Sequence, residues 1–127
     1  MGQSRPFRAT ALIVEDDPTQ RDMICLLLEE SDYDVISCES AEAAELVLHR
    51  DGGRVVLLMT DVSLAGQMTG VELAHIAKQR YPRLSVVVTS GQTPSQPLPS
   101  DAKFWSKPWA PLDVLREAEV AAARYAE

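Results

Sequence analysis

Five short apolar runs, separated by segments of helical periodicity in every interval but one, constrain the fold of this chain more than any other feature. The runs are Ala11-Leu-Ile-Val14, Asp34-Val-Ile36, Val55-Val-Leu-Leu-Met59, Leu84-Ser-Val-Val-Val88 and Ala102-Lys-Phe-Trp105. Three of them are almost uninterrupted apolar, the pattern of parallel strands covered on both faces. After Pro18, apolar residues recur at Met23, Ile24, Leu27 and Leu28. Pro18 suits the first turn of that helix and Asp17 can cap it. Ser40 reads as the N-cap of a second helix that carries Ala43, Ala44, Val47 and Leu48 on one face and stops at Asp51-Gly-Gly53. A third follows Gly70, turns Leu73, Ala74, Ala77 and Tyr81 inward, and ends before Pro82. A fourth runs from Pro111 towards Ala126, with Leu112, Leu115 and Ala118 or Ala122 as its buried stripe.

The exceptional interval lies between the fourth and fifth strands, where Pro94, Pro97 and Pro99 crowd together. Each proline removes a backbone donor and costs roughly 3 kcal/mol inside a helix, so an extended or one-turn loop is expected there. Strand–helix alternation with right-handed crossovers then predicts an α/β fold. Its sheet is doubly wound, parallel and five-stranded, and the helix between strands four and five is short or missing. The length of 127 residues suits one domain, and no internal repeat divides it. That domain is expected over 9–127, behind a flexible polar arm at 1–8 on which Arg5 and Arg8 are solvated charges.

Composition removes several classes of function. With 46% apolar and 24% charged residues the chain is not disordered. A net charge of −7 disfavours direct binding to nucleic acid or to an anionic membrane. The apolar runs are too short to span a bilayer, and the first ten residues lack the apolar stretch of a signal peptide, so a cytoplasmic address is expected. Cys25 and Cys38 form neither a CxxC pair nor a disulfide framework and read as buried free thiols. His49 and His75 fall on the exposed sides of helices.

In open parallel sheets, ligands bind beyond the carboxyl ends of the strands. The first strand ends at Glu15, Asp16 and Asp17, and the third at Asp61. The fourth ends at Thr89 and Ser90, the fifth at Ser106, Lys107 and Pro108. Neighbouring first and third strands, roughly 4.8 Å apart, would crowd Glu15, Asp16 and Asp61. Like charges that close raise one another's protonation unless something cationic intervenes. The Lys107 ammonium is one such group and a hard divalent cation another. Mg²⁺ fits best, because it takes few carboxylates and leaves positions for phosphate oxygens. A carboxylate so neutralised can attack a phosphoryl group.

Val14-Glu-Asp-Asp-Pro18, Leu57-Leu-Met-Thr-Asp61, Gly70, Val88-Thr-Ser-Gly91 and Lys107-Pro-Trp109, in this order, resemble the receiver domain of bacterial two-component response regulators. The resemblance covers the chain from about Ala9 onward and implies a flavodoxin-like strand order 2-1-3-4-5. It makes Asp61 the acceptor of a phosphoryl group from a histidine kinase or phosphotransfer protein. Asp16 would ligate Mg²⁺ directly, Glu15 through water, and Ser63 through its backbone carbonyl. Thr89 and Lys107 would each hold a phosphoryl oxygen, and the Lys107–Pro108 bond would be cis. Phe104 would be the switch aromatic that moves inward as Thr89 swings towards the phosphate.

The departures from the family pattern are equally specific. Ala65 stands at +4 from the acceptor, where many receivers have Pro. Gly70 falls at +9 rather than +8, so the intervening loop carries about one extra residue. The expected output is through contacts with a downstream protein, with no direct role for nucleic acid or membrane. Alternatives are a phosphate sink or shuttle, or a receiver fragment of a larger hybrid kinase. A phosphohydrolase of the haloacid-dehalogenase type would need an acid where Ser63 stands. A flavodoxin-like nucleotide site would need a phosphate loop after the first strand, and none is present.

Overall fold

Alternation along each strand is what sorts this chain into two cores. The computed structural model describes residues 8–126. The elements are β1 (Thr10–Val14), α1 (Pro18–Glu30), β2 (Asp34–Cys38), α2 (Ala41–Asp51), β3 (Val55–Asp61), α3 (Gly70–Arg80), β4 (Ser85–Ser90), β5 (Lys103–Ser106) and α4 (Pro111–Ala126). They build one sheet in the order β2-β1-β3-β4-β5, every pair parallel, which is the order the family resemblance implies. Successive side chains of a strand point to opposite faces. Leu12, Val14, Leu58, Val86 and Val88 therefore meet α2 and α3 on one face. Ala11, Ile13, Leu57, Met59 and Val87 meet α1 and α4 on the other.

Residues 91–102 form no helix, as the three prolines require. Leu98 and Ala102 instead pack against the Val86/Val88 face. Side chains of α3 hold the loop down: His75 Nε2 lies 2.8 Å from the Pro97 carbonyl, and Lys78 Nζ donates to Asp101 at 2.9 Å.

Four expectations need correction. The buried stripe of α4 is Val114, Glu117, Ala118 and Ala121, while Leu112 is exposed. The helix is turned by a polar residue that the apolar pattern could not score: Glu117 faces inward to meet Lys103 Nζ of β5 at 2.8 Å. Met23 faces solvent, leaving Ile24 and Leu28 as the fully buried residues of α1, and both cysteines are free but only half-buried. The arm at 1–7 lies outside the described residues. Arg8 is no free charge, since it pairs with Asp34 at 2.9 Å and donates to the Tyr33 carbonyl.

Tyr33 closes the bottom of the α1/α4 core. Its hydroxyl donates to the Ala118 carbonyl at 2.5 Å, and burial, helped by the nearby Glu117 charge, pushes its pKa up to about 12. The unfolded chain ionises near pH 10, so above that pH the folded state binds more protons and stability falls with rising pH. The contribution is intact below pH 10 and lost as pH passes about 12. Tyr33→Phe should lower stability by about 1 kcal/mol at neutral pH. It should also flatten the alkaline limb of a pH series of urea-unfolding midpoints. A variant as steep above pH 10 as the parent would refute the assignment.

Candidate functional site

β1 and β3 are neighbours, and their carboxyl ends carry the acids. β3 ends at Asp61, 8% exposed, while the chain leaves β1 at Glu15, which is 3% exposed. Carboxylate oxygens of Glu15, Asp16 and Asp61 all lie within 4.8 Å of one another. Asp16 is the exposed member. Lys107, just past β5, sends Nζ to Asp61 Oδ2 at 2.9 Å and lies 3.7 Å from Glu15 Oε1. Its peptide bond to Pro108 is cis.

Local hydrogen bonds fix this rim. The Glu15 amide donates to the Cys38 carbonyl at 3.0 Å, tying the end of β1 to β2. Arg21 of α1 reaches back to the Glu15 carbonyl, and the Asp17 amide donates to Glu15 Oε2. Asp17 itself caps α1 by accepting from the Thr19 and Gln20 amides. Beyond β3, the Val62 amide donates to the Thr89 carbonyl and the Lys107 amide to the Ser90 carbonyl, so the strand ends stay in step. Gly70, at the start of α3, lies against Asp61: a Cβ there would stand 1.9 Å from the Asp61 carbonyl oxygen.

Charge is not balanced within this cluster. Burial pushes the Glu15 carboxyl above its ordinary range; the Asp17 amide opposes that shift, and the Asp61 charge adds to it. Burial works against the Lys107 ammonium, yet its hydrogen bond to Asp61 and the charges of Asp61 and Glu15 outweigh it and hold the pKa above the usual value. One ammonium faces three carboxylates. An all-oxygen donor set with surplus negative charge suits a hard divalent cation such as Mg²⁺.

The other residues singled out by the sequence sit around this group. Thr89 is buried on β4 in direct register with Asp61. Ser63 is exposed two residues beyond Asp61. Phe104 lies on β5 in register with Val88 and is 37% exposed. Trp105 and Trp109 flank Lys107, pack against the α1/α4 core, and meet each other in a tilted pair with centroids 6.5 Å apart and planes at 51°. Sequence reasoning missed Arg21 and Glu42. Glu42 accepts from the Gln67 and Met68 amides at 2.9 Å each, and nothing in its position on the second helix announces that reach.

Fold and rim together define a class: a doubly wound α/β domain that gathers carboxylates and one lysine at its strand ends. A family model of the response regulator receiver domain matches residues 11–100, and the chain belongs to that family. Receiver domains of two-component systems are phosphorylation switches that work with histidine kinases or phosphotransfer proteins and generally bind Mg²⁺ at an acidic pocket. The hydrogenase transcriptional regulatory protein HoxA of Cupriavidus necator is 30% identical over 120 residues, covering 87% of this chain and 24% of that protein. The response regulator receiver protein CpdR of Brucella abortus is 31% identical over 113 residues, 85% of this chain and 92% of that one. The chain thus spans about a quarter of the first relative and nearly all of the second. Among solved structures, a CheY-like receiver domain protein from Methanospirillum hungatei superposes with a TM-score of 0.81 at 23% identity, over 93% of this chain and 97% of that one. Among the described residues, no helix is long and apolar enough to cross a membrane.

Proposed function

We propose that residues 9–127 act as one receiver unit that accepts a phosphoryl group on Asp61 from the phosphohistidine of a histidine kinase or phosphotransfer protein. The observation that carries this reading is the Lys107 Nζ–Asp61 Oδ2 contact of 2.9 Å inside a three-carboxylate cluster at the strand ends. An Asp61 carboxylate oxygen attacks phosphorus; the new O–P bond forms as the N–P bond breaks, and the imidazole leaves to take its proton from solvent. Lys107 neutralises one oxygen of the incoming group, and the Thr89 hydroxyl, in register beside Asp61, donates to another. Glu15, Asp16, Asp61 and the Ser63 carbonyl would hold Mg²⁺, with Glu15 acting through water. When bound, the ion supplies positive charge at the phosphoryl oxygens. Phe104, exposed on β5, turns inward as Thr89 swings to the phosphate, and it works by packing because it has no hydroxyl. Output then passes to a protein partner. A sink or shuttle role, or service within a larger hybrid kinase, uses the same chemistry.

Incubation with Mg²⁺ and acetyl phosphate, followed by intact mass, tests the reading. A gain of one phosphoryl group that excess chelator abolishes is expected. No gain, or a gain indifferent to chelation, would overturn it.

A further inference from the structure

We propose that Glu42 is a positioning residue: from α2 it clamps the lengthened loop after Asp61 in the shape that lets that loop serve the metal. This inference rests on the receiver reading above. The loop between β3 and α3 leads from Asp61 through Ser63 to Gly70, one residue longer than the usual family spacing. Its far end is sealed by its own helix, where Thr69 and Glu72 cap each other reciprocally and the Gly70 amide donates to the Val62 carbonyl. Its middle has no such local partner and is held from α2. Glu42 Oε2 accepts from both the Gln67 and Met68 amides at 2.9 Å. Beside it, Ala65 forms a parallel bridge with Ser40, the N-cap of α2.

Gly66 makes this approach possible. It takes φ +90°, a conformation that favours glycine, and a Cβ at that position would stand 2.6 Å from Glu42 Oε1. A carboxylate, a glycine with positive φ and two converging amides therefore form one device. The two amides hold the Glu42 carboxyl below its ordinary range, so these are charge-assisted hydrogen bonds at neutral pH. A side chain from a separate element fixes a loop that must present a backbone carbonyl at a set place. The extra residue would otherwise leave that loop loose.

The test is two-part NMR on the full chain, without phosphodonor. Amide exchange at Gln67 and Met68 reads the clamp in metal-free protein, and Mg²⁺ titration of the amide shifts reads affinity. Glu42→Ala should lose protection at both amides and weaken Mg²⁺ about tenfold, the low end for residues that orient a metal's ligands. Glu42→Gln, whose carbonyl can accept both bonds, should restore protection and bring affinity back to within about threefold. Gly66→Ala, which displaces the carboxylate without removing it, should behave like Glu42→Ala and stands in for it if that variant folds poorly. Protection lost with unchanged Mg²⁺ affinity, or protection kept in Glu42→Ala, overturns the inference. A parent protein that binds no Mg²⁺ instead sinks the receiver reading itself, an outcome recognisable without any variant.

Discussion

Asp61→Asn is expected to take up no phosphoryl group from acetyl phosphate while remaining folded. The amide oxygen of asparagine is not a nucleophile of carboxylate strength, so bond formation to phosphorus stops at its first step. The fold should tolerate the change because the cluster carries surplus negative charge. Asp61 adds to the pressure that holds the Glu15 carboxyl high, and its replacement by a neutral isostere relieves that repulsion. Against this, Lys107 loses its 2.9 Å partner and keeps Glu15 at 3.7 Å. The two effects oppose each other, so the unfolding free energy should move by less than about 1 kcal/mol, in the range of substitutions that leave packing intact. Intact mass and urea unfolding on the same preparation check both halves. Uptake in the variant equal to the parent would remove Asp61 as acceptor, and collapse of the fold would show that the rim carries stability rather than chemistry.

Gly70→Ala should lose more stability than alanine at any other glycine among the described residues. Helix propensity alone favours alanine by about 1 kcal/mol at a helical position. Here packing decides the sign. The added carbon would lie 1.9 Å from the Asp61 carbonyl oxygen and 2.8 Å from Thr60 Oγ1. Both neighbours are held: the carbonyl belongs to the last residue of β3, and Thr60 Oγ1 donates to that same carbonyl at 2.9 Å, while the Gly70 amide is tied to the Val62 carbonyl. Either α3 or the end of β3 must move, at a cost of about 3 kcal/mol or more. Because Asp61 sits at that strand end, phosphoryl uptake should fall along with the unfolding midpoint. An alanine variant as stable as the parent would show that α3 does not press on the acceptor strand in solution.

The parts legible in sequence were those set by local pattern. Parallel strands buried on both faces wrote themselves as apolar runs, and Asp17, Ser40 and Gly70 marked helix starts by their capping or turn chemistry. The prolines at 94, 97 and 99 announced the missing helix. The candidate site was legible for a related reason: strand ends are sequence landmarks, so Glu15, Asp16, Asp61, Thr89 and Lys107 could be placed on one rim before any distance was known. What escaped was set by contacts between distant elements. The α4 stripe was misread because an acid, Glu117, occupies an inward position and pairs with Lys103 across the sheet edge. Arg8 looked like loose charge because its partners lie 25 and 26 positions away. Glu42 reads as an ordinary first-turn acid, and only tertiary structure brings it to Gln67 and Met68.

The central claim is that, of the carboxylates gathered at this rim, Asp61 is the one that carries phosphorus. Borohydride reduces an acyl phosphate to the alcohol, so reducing acetyl-phosphate-treated protein and sequencing its peptides by mass spectrometry reads the acceptor directly. Homoserine at position 61 and nowhere else is the expected outcome. Reduction at position 15 or 16, or a phosphoryl group that survives borohydride on a serine, threonine or histidine, would contradict the account.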